Sequence, residues 1–503
     1  MASPKVPIII GVGEIKNPSR RKEDAIEPLH LMLAAAREAL SDASSSDKAT
    51  LLSSINSVSV VASSTWPYKN LPTLVCQGLG VEAFHTTYSA LAGSSSVQLI
   101  DDTARLISTG EVEVGIVVGG EAMASFPSNF FRISNAYFPI TGVGKIHRVG
   151  VPMHVYAMYE NGLRAQRGQQ LVENLEESAS LYGRYAEIAS RHPTAWNYGK
   201  QPHTANTIGT ITEKNRMICH PYPLLMNAFN DVNIAGACLL TNTEYAQRMG
   251  IPREKWIYPL GGGRAEDSND FWDRPNFYSS PAIATALDSC LSSSGLHQDQ
   301  IDLFDFYSCF PVVPKLACSH LGISFDNPPK PITLIGGLTS FGGAGANYSM
   351  HAVAEMVRQL RKLHGNAGPS NGLLLANGGV LTTENAICVS THPRKASDPY
   401  PREDMVLSRS VQLAPSIAMD VQGEVVIETY TVEYDRQNQP RMGHIVCLLK
   451  VDGRRVIANH GDPATLEQLA SWTEEPIGRS GYIWPSSSGS GQNLFYFRRN
   501  DRL

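Results

Sequence analysis

The first 120 residues alternate between two hydrophobic periods. Pro7 to Val12 reads as a buried strand ending at a glycine, Ile26 to Leu40 carries apolar residues at helical spacing, and Ile55 to Val61 is a strand rich in Val and Ser. A short helix follows over Leu71 to Leu79, then a strand over Phe84 to Ser89 and a helix over Ser94 to Ile107. A fully buried strand over Val112 to Val118 precedes Gly119-Gly120. This β-α-β-α rhythm predicts an α/β fold whose mostly parallel sheet is covered by helices on both faces.

From residue 121 to about 230 the rhythm breaks. The stretch is rich in Tyr, Asn, His and Pro and contains one helical run, Glu176 to Arg191, so an inserted cap over a site is expected rather than a linker. Sheet pattern returns at Ile234 to Leu240, and the first pattern then repeats. Strands are predicted at Trp256 to Leu260, Ile301 to Tyr307, Leu373 to Ala376 and Ala386 to Ser390, and helices at Ala282 to Leu291, Val312 to Leu321 and Met350 to Leu363. Two halves of comparable order suggest an internal duplication. After Pro393 to Pro401, strand alternation resumes at Val425 to Tyr434, His444 to Val451 and Val456 to Asn459, with a turn at Asp452-Gly453. A helix over Pro463 to Trp472, a loop over Ser486 to Gly491 and a strand over Asn493 to Phe497 complete the chain. The expected division is 1–245 (with the cap at about 121–230), 246–398, and a small β-rich domain at 399–503.

Composition acts by exclusion. With 503 residues, 42% apolar and 18% charged, the chain has room for more than one core, and a net charge of −5 leaves no overall basic field for nucleic acid or acidic lipid. No stretch nears the ~20 apolar residues of a bilayer span. Val6-Pro7-Ile8-Ile9-Ile10 is too short for a signal-peptide core. The eight cysteines form no C-x-x-C pair, which fits reduced thiols; neither disulfides nor a metal ion are expected. An intracellular, cytoplasmic protein is expected. The ending Asp501-Arg502-Leu503 is a weak form of the peroxisomal S-K-L signal, with an acidic residue in place of the small one.

Three glycine-rich or polar turns follow predicted strands: Ser89-Ala90-Leu91-Ala92-Gly93-Ser94-Ser95-Ser96, Gly336 through Gly345, and Ala376-Asn377-Gly378-Gly379. With Tyr307-Ser308-Cys309-Phe310-Pro311, their order and spacing resemble the four active-site segments of thiolases over essentially the whole chain. Asn215-Arg216-Met217, His220-Pro221-Tyr222-Pro223, the run Gly342 to Tyr348, Thr429-Tyr430-Thr431-Val432 and Gly453-Arg454-Arg455 resemble the thiolase-like proteins of type 1, near the sterol-carrier-protein thiolases. The resemblance implies a duplicated thiolase fold, layered αβαβα, with an additional C-terminal domain. It also implies an acyl-CoA or carrier-bound thioester as substrate, no bound cofactor, and a role in lipid or polyketide metabolism. An acyl carrier protein as partner and a homodimer are further implications of the family.

Thiolase chemistry uses a cysteine at the head of a buried helix, activated as thiolate by the helix N-terminus and a histidine, with backbone N–H groups holding the oxyanion. A second cysteine moves protons. Aligned by the first turn, the nucleophile position falls on Ala90 beside Ser89, the histidine on Gly343, and the second cysteine on Ala376 or Leu375. Alanine forms no thioester, so ordinary ping-pong transfer is excluded by this alignment. Cys309, the only cysteine within the four segments, reads as a substitute nucleophile or acid, or as a small buried residue. Tyr307 and Tyr348 are candidates for proton transfer, or packed aromatics. Ser89 and Ser94 lack an activating base, so capping competes with substrate contact; Asn347 likewise reads as a cap or a ligand group. Gly343 and Gly379, with Gly342 and Gly378, are expected to need positive φ or to offer N–H groups to a thioester carbonyl. His154 and His220 are candidate substrate contacts, against the commoner structural histidine. Acyl transfer or carbon–carbon bond chemistry without the standard covalent intermediate is expected. A tyrosine-using aldolase and an inactive acyl-CoA-binding or scaffold protein are the alternatives.

Overall fold

In the computed structural model, which describes residues 4–126, 140, 142–365, 367–395, 398–402, 414–487 and 489–499, the N-terminal apolar run forms the strand Pro7–Lys16. The Asp501-Arg502-Leu503 ending and residues 127–139 of the expected cap lie outside the described residues. The first sheet has the order Pro7–Lys16, Asn233–Asn242, Val114–Ala122, Ile55–Val60, His85–Tyr88. The last three of these run parallel, as expected. Asn233–Asn242 does not: it is antiparallel to both neighbours. The cause is the long excursion, which leaves the sheet at Ala122 and rejoins it at Asn233 directly opposite, without a crossover helix to turn the chain round.

The second sheet repeats the arrangement with the order Tyr258–Glu266, Thr383–Ser390, Asn371–Gly378, Leu303–Phe306. Again its last strand in sequence is antiparallel to both neighbours, while Asn371–Gly378 and Leu303–Phe306 run parallel. Helices Ser95–Thr109 and Tyr348–Lys362 each touch strands of both sheets. Pro28–Asp42 and Leu71–Leu79 cover the outer face of the first sheet and Pro281–Ser294 that of the second. The result is five layers, αβαβα, with two like halves.

Within the excursion the expected helix is longer, Leu171–Arg191, and begins at a Gln170–Glu173 capping box. A second helix, Pro152–Gln166, was not foreseen. Every residue from His154 to Leu163 and also Arg164 is buried, so it has no polar face and none of the amphipathic spacing by which a surface helix is read. Lys315 ties this region to the second half. Its ammonium is fully buried and donates to Glu160 (2.7 Å) and Ser178 (2.8 Å) and pairs with Glu177 (2.8 Å). Glu160 also accepts from Tyr222 (2.6 Å) and Asn174 (2.7 Å).

The C-terminal strands Gly423–Tyr434, Pro440–Leu449, Arg455–His460, Asn493–Tyr496 and Ser480–Pro485 close into a ring in that order. Numbered along the chain, the ring runs one-two-three-five-four-one. Its third and fifth strands are parallel, and the helix Pro463–Leu469 lies between the third and fourth strands. This is the connectivity of an OB-type barrel, filled by Val425, Ile427, Val432, Ile445, Cys447 and Phe495. The excursion adds two short strands to it, Met217–Cys219 and Tyr222–Pro223, through the pair Cys219–Glu433. Fully buried Arg455 extends the seam to the second half, donating to Glu428 and to the main-chain oxygens of Trp272 (2.6 Å) and Arg274 (2.5 Å). No described helix is long and apolar enough to cross a membrane.

Acid sensitivity follows from Glu14, buried between the first strand and helix Tyr348–Lys362. Burial pushes its carboxyl up, but the His351 hydrogen bond (2.6 Å), the His351 charge and Arg358 pull it to about 2. Because the folded value lies below that of the unfolded chain, this stabilisation is complete above pH 4.5 and is lost as pH falls towards 2. Glu14→Gln is expected to flatten the stability curve across that window by up to about 1.4 kcal/mol per pH unit. Urea unfolding at stepped pH measures this, and an unchanged acid slope would refute it.

Candidate active site

The head of the buried helix Ser95–Thr109 is Gly93-Ser94, not Ala90. Ala90 lies in an exposed turn, where its carbonyl accepts from Ser89 Oγ (2.7 Å) and Ser95 Oγ (2.8 Å). Gly93 is buried. A Cβ placed there would fall 2.5 Å from the Tyr307 hydroxyl oxygen and against the Asn377 carbonyl. A phenol therefore takes the space that a side chain at the helix head would need.

Tyr307 follows the strand Leu303–Phe306 and is held by its N–H to Leu375 O (2.9 Å). Its ring meets that of Tyr348 edge-on at 5.4 Å. The Tyr348 hydroxyl is buried against Ser308 and Gly337, outside ordinary hydrogen-bond geometry. Burial, then the nearby Asp305 carboxyl, pushes this phenol well above its usual range, so it stays protonated. Asp305 is itself raised to about 7 by burial, against hydrogen bonds from Leu334 N–H and Thr333.

Cys309 faces Asn377, whose Nδ2 donates to Sγ at 3.6 Å and to the Tyr156 hydroxyl at 2.7 Å. Tyr156 passes its own proton to Gly379 O (3.1 Å), and its ring stacks on Phe310 at 4.7 Å. Burial pushes the Cys309 thiol up to about 12, with Glu384 adding to the effect, so it is a thiol rather than a thiolate near neutrality. Glu384 pairs with Asn377 across the hairpin, which puts both side chains on one face. It is fully buried, and neither carboxyl oxygen meets a donor among the described residues. Burial lifts its acid range far above the ordinary value, against the pull of Arg274.

Of the other expected site residues, Gly379 joins this centre through its carbonyl, while the two histidines separate from it. Ser89 Oγ accepts from Ala62 N–H (3.0 Å), and Ser94 Oγ meets Thr383 Oγ1 (3.0 Å); neither caps the helix. Asn347 is no cap either: its Nδ2 donates to Gly119 O (2.9 Å), which requires a glycine at 119 because a Cβ there would strike the Asn347 amide. Gly342 and Gly379 have positive φ, of 116° and 69°. Gly343, at φ −88°, does not; there the requirement is room, since a Cβ would lie 2.5 Å from Asn230 Oδ1. Gly378 is likewise crowded by Thr383 and Ser94. His220 packs on Trp472 (4.5 Å) and Tyr430 (6.0 Å), and burial takes its ring down to about 3. His154 stacks on His444 of the barrel at 4.4 Å. Both histidines serve the barrel seam rather than the Tyr307 centre.

Residues 408–488 match the family model described as the thiolase-like protein type 1 additional C-terminal domain. A monomeric SCP2-thiolase-like protein type 1 from Mycobacterium smegmatis is 28% identical, with a TM-score of 0.82 over 98% of this chain and 99% of that one. The C-terminal stretch thus matches the additional domain of that family, and the chain as a whole is similar to a protein of type 1. Two more distant structures share the thiolase fold with this chain, each over 77% of it and 98% of their own. They are the Ltp2-ChsH2(DUF35) aldolase (18% identity, TM-score 0.59) and the dimeric peroxisomal thiolase of Saccharomyces cerevisiae (15%, 0.58). No curated protein matches the chain in sequence.

Tyr156, Asn377 and Glu384 are the members of this candidate site that sequence reasoning missed. The signal for two of them was present: Asn377 sits inside a recognised turn, and Glu384 lies opposite it once a hairpin is drawn through Val380-Leu381-Thr382.

Proposed function

We propose that this protein acts on an acyl-CoA or carrier-bound acyl thioester by proton transfer and carbonyl polarisation, without an acyl-enzyme intermediate. The observation that carries the reading is the Tyr307 hydroxyl in the space of a helix-head side chain. A helix N-terminus favours negative charge placed against it, which suits a phenol that gives up a proton during turnover. Tyr348 and Tyr156, both held protonated by burial, supply neutral donors around it. Cys309 acts as a hydrogen-bonding thiol, because a thiol raised to about 12 is a poor nucleophile. In a retro-aldol cleavage the base takes the β-hydroxyl proton of a β-hydroxyacyl thioester, the Cα–Cβ bond breaks to release an aldehyde or ketone, and the thioester enolate takes a proton at Cα. The lack of a ready thiolate at Cys309 supports this class over acyl transfer through a thioester.

Incubation with a panel of acyl-CoA esters, followed by mass spectrometry of products and intact protein, tests this. Product without a protein adduct is expected, and Cys309→Ala is expected to cost less than about tenfold in rate. An acylated Cys309 overturns the reading. Binding with neither turnover nor adduct favours the non-enzymatic acyl-CoA-binding alternative.

A further inference from the structure

We propose that His154, His444 and Glu433 form a binding site for one divalent transition-metal ion of the zinc class. They meet where helix Pro152–Gln166 packs on the barrel. His154 comes from the helix's first turn, Glu433 from the end of strand Gly423–Tyr434, and His444 from strand Pro440–Leu449. One donor atom from each lies within 4.8 Å of the other two.

The buried polar atoms carry the argument. Both ring nitrogens of His154 and Nε2 of His444 are buried with no hydrogen-bond partner. Such groups are uncommon in folded proteins and call for a partner, and imidazole nitrogen beside a carboxylate is a borderline-soft set that suits zinc over calcium or magnesium. His444 Nε2 already faces Glu433 Oε2 at 3.9 Å. Ligand atoms around tetrahedral zinc stand about 3.3 Å apart, given bonds of about 2.0–2.2 Å, so the three donors close by about 1.5 Å at most. Glu433 is partly exposed and free to make that movement. It opens on a surface cleft of about 370 Å³ bounded by Met153, Arg216, Asp435 and Arg441, which gives the ion a way in and a water for the fourth position.

Two neighbours respond to ligation. Arg441, which pairs with Glu433 at 3.5 Å, gives up the carboxylate. Asn459 Nδ2 lies 3.2 Å from His444 Nδ1. Ligation through Nε2 puts the ring proton on Nδ1, and because the amide is held by His147 O (3.1 Å), Gly443 O (3.3 Å) and Gln492 (2.7 Å), the His444 ring shifts away from it as it closes on the ion. The three ligands stand at positions 154, 433 and 444, too far apart in the chain for local spacing to reveal them.

The test uses the full chain, stripped with a chelator and desalted, then titrated with Zn²⁺ against a competing chromogenic chelator. One zinc per chain is expected, with Co²⁺ giving the visible bands of a tetrahedral site. Glu433→Gln and His444→Ala are expected to weaken Zn²⁺ by more than about a hundredfold, beyond the ten- to hundredfold of a lost outer-shell partner. Circular dichroism reports whether each variant folds, and the partly exposed Glu433→Gln decides the matter if His444→Ala does not. No stoichiometric zinc in the parent chain, or equal uptake by the parent and folded variants, overturns the proposal.

Discussion

Tyr307→Phe is expected to lower turnover on the responsive thioester by about 10²–10⁴-fold, the range for loss of a positioned general acid or base. The ring packs edge-on against Tyr348, so removing the oxygen leaves the packing in place. The fall should therefore appear in kcat and kcat/KM together, with KM little changed, because the lost interaction belongs to the transition state. Comparison with Cys309→Ala on the same substrate separates the two groups. If Tyr307→Phe keeps the parent rate, the phenol is a space-filling residue and the proposed chemistry fails.

Lys315→Met is expected to destabilise the protein by about 3–5 kcal/mol, because it leaves Glu160 fully buried without its cation, whereas Glu177 keeps its pair with Arg167 (2.8 Å). Desolvation makes an intact buried pair a modest stabiliser, whereas an orphaned charge is costly. Lys315→Met with Glu160→Gln should therefore recover part of the loss. The first urea transition of each variant measures this. A change below about 1 kcal/mol would mean the network relaxes or admits water. The position carries consequence beyond stability: Lys315 sits on helix Val312–Leu321, which begins two residues after Phe310.

Strong periodicity made most of the fold legible. Leu71–Leu79 and Val312–Leu321 fall where apolar spacing puts them, and the paired halves follow from repeated strand–helix order. Tyr307, Cys309 and Tyr348 are candidates read from the order of the four turns, and the structure brings the Tyr307 and Tyr348 rings together. The helix starts within one residue of its expected place, but the nucleophile position was set on Ala90, three residues before Gly93, because Ser-Ala-Leu-Ala-Gly-Ser-Ser-Ser offers, Leu91 apart, only small residues to anchor a register. Tyr156 was hidden in a helix without a polar face. The closed ring of the barrel was invisible for another reason: it depends on Ser480–Pro485 pairing back to Gly423–Tyr434, a contact between distant segments that no local pattern announces.

The pairing of Cys219 with Glu433 sets an order of events at the ribosome. At a synthesis rate of about 5–20 residues per second, the ~200 residues between them take on the order of 10–40 s to emerge. For that interval the edge at Met217–Cys219 has no barrel to join, and its unpaired backbone is open to chaperones or to neighbouring nascent chains. Premature stop codons before the barrel should therefore yield insoluble or degraded product rather than a shortened folded protein.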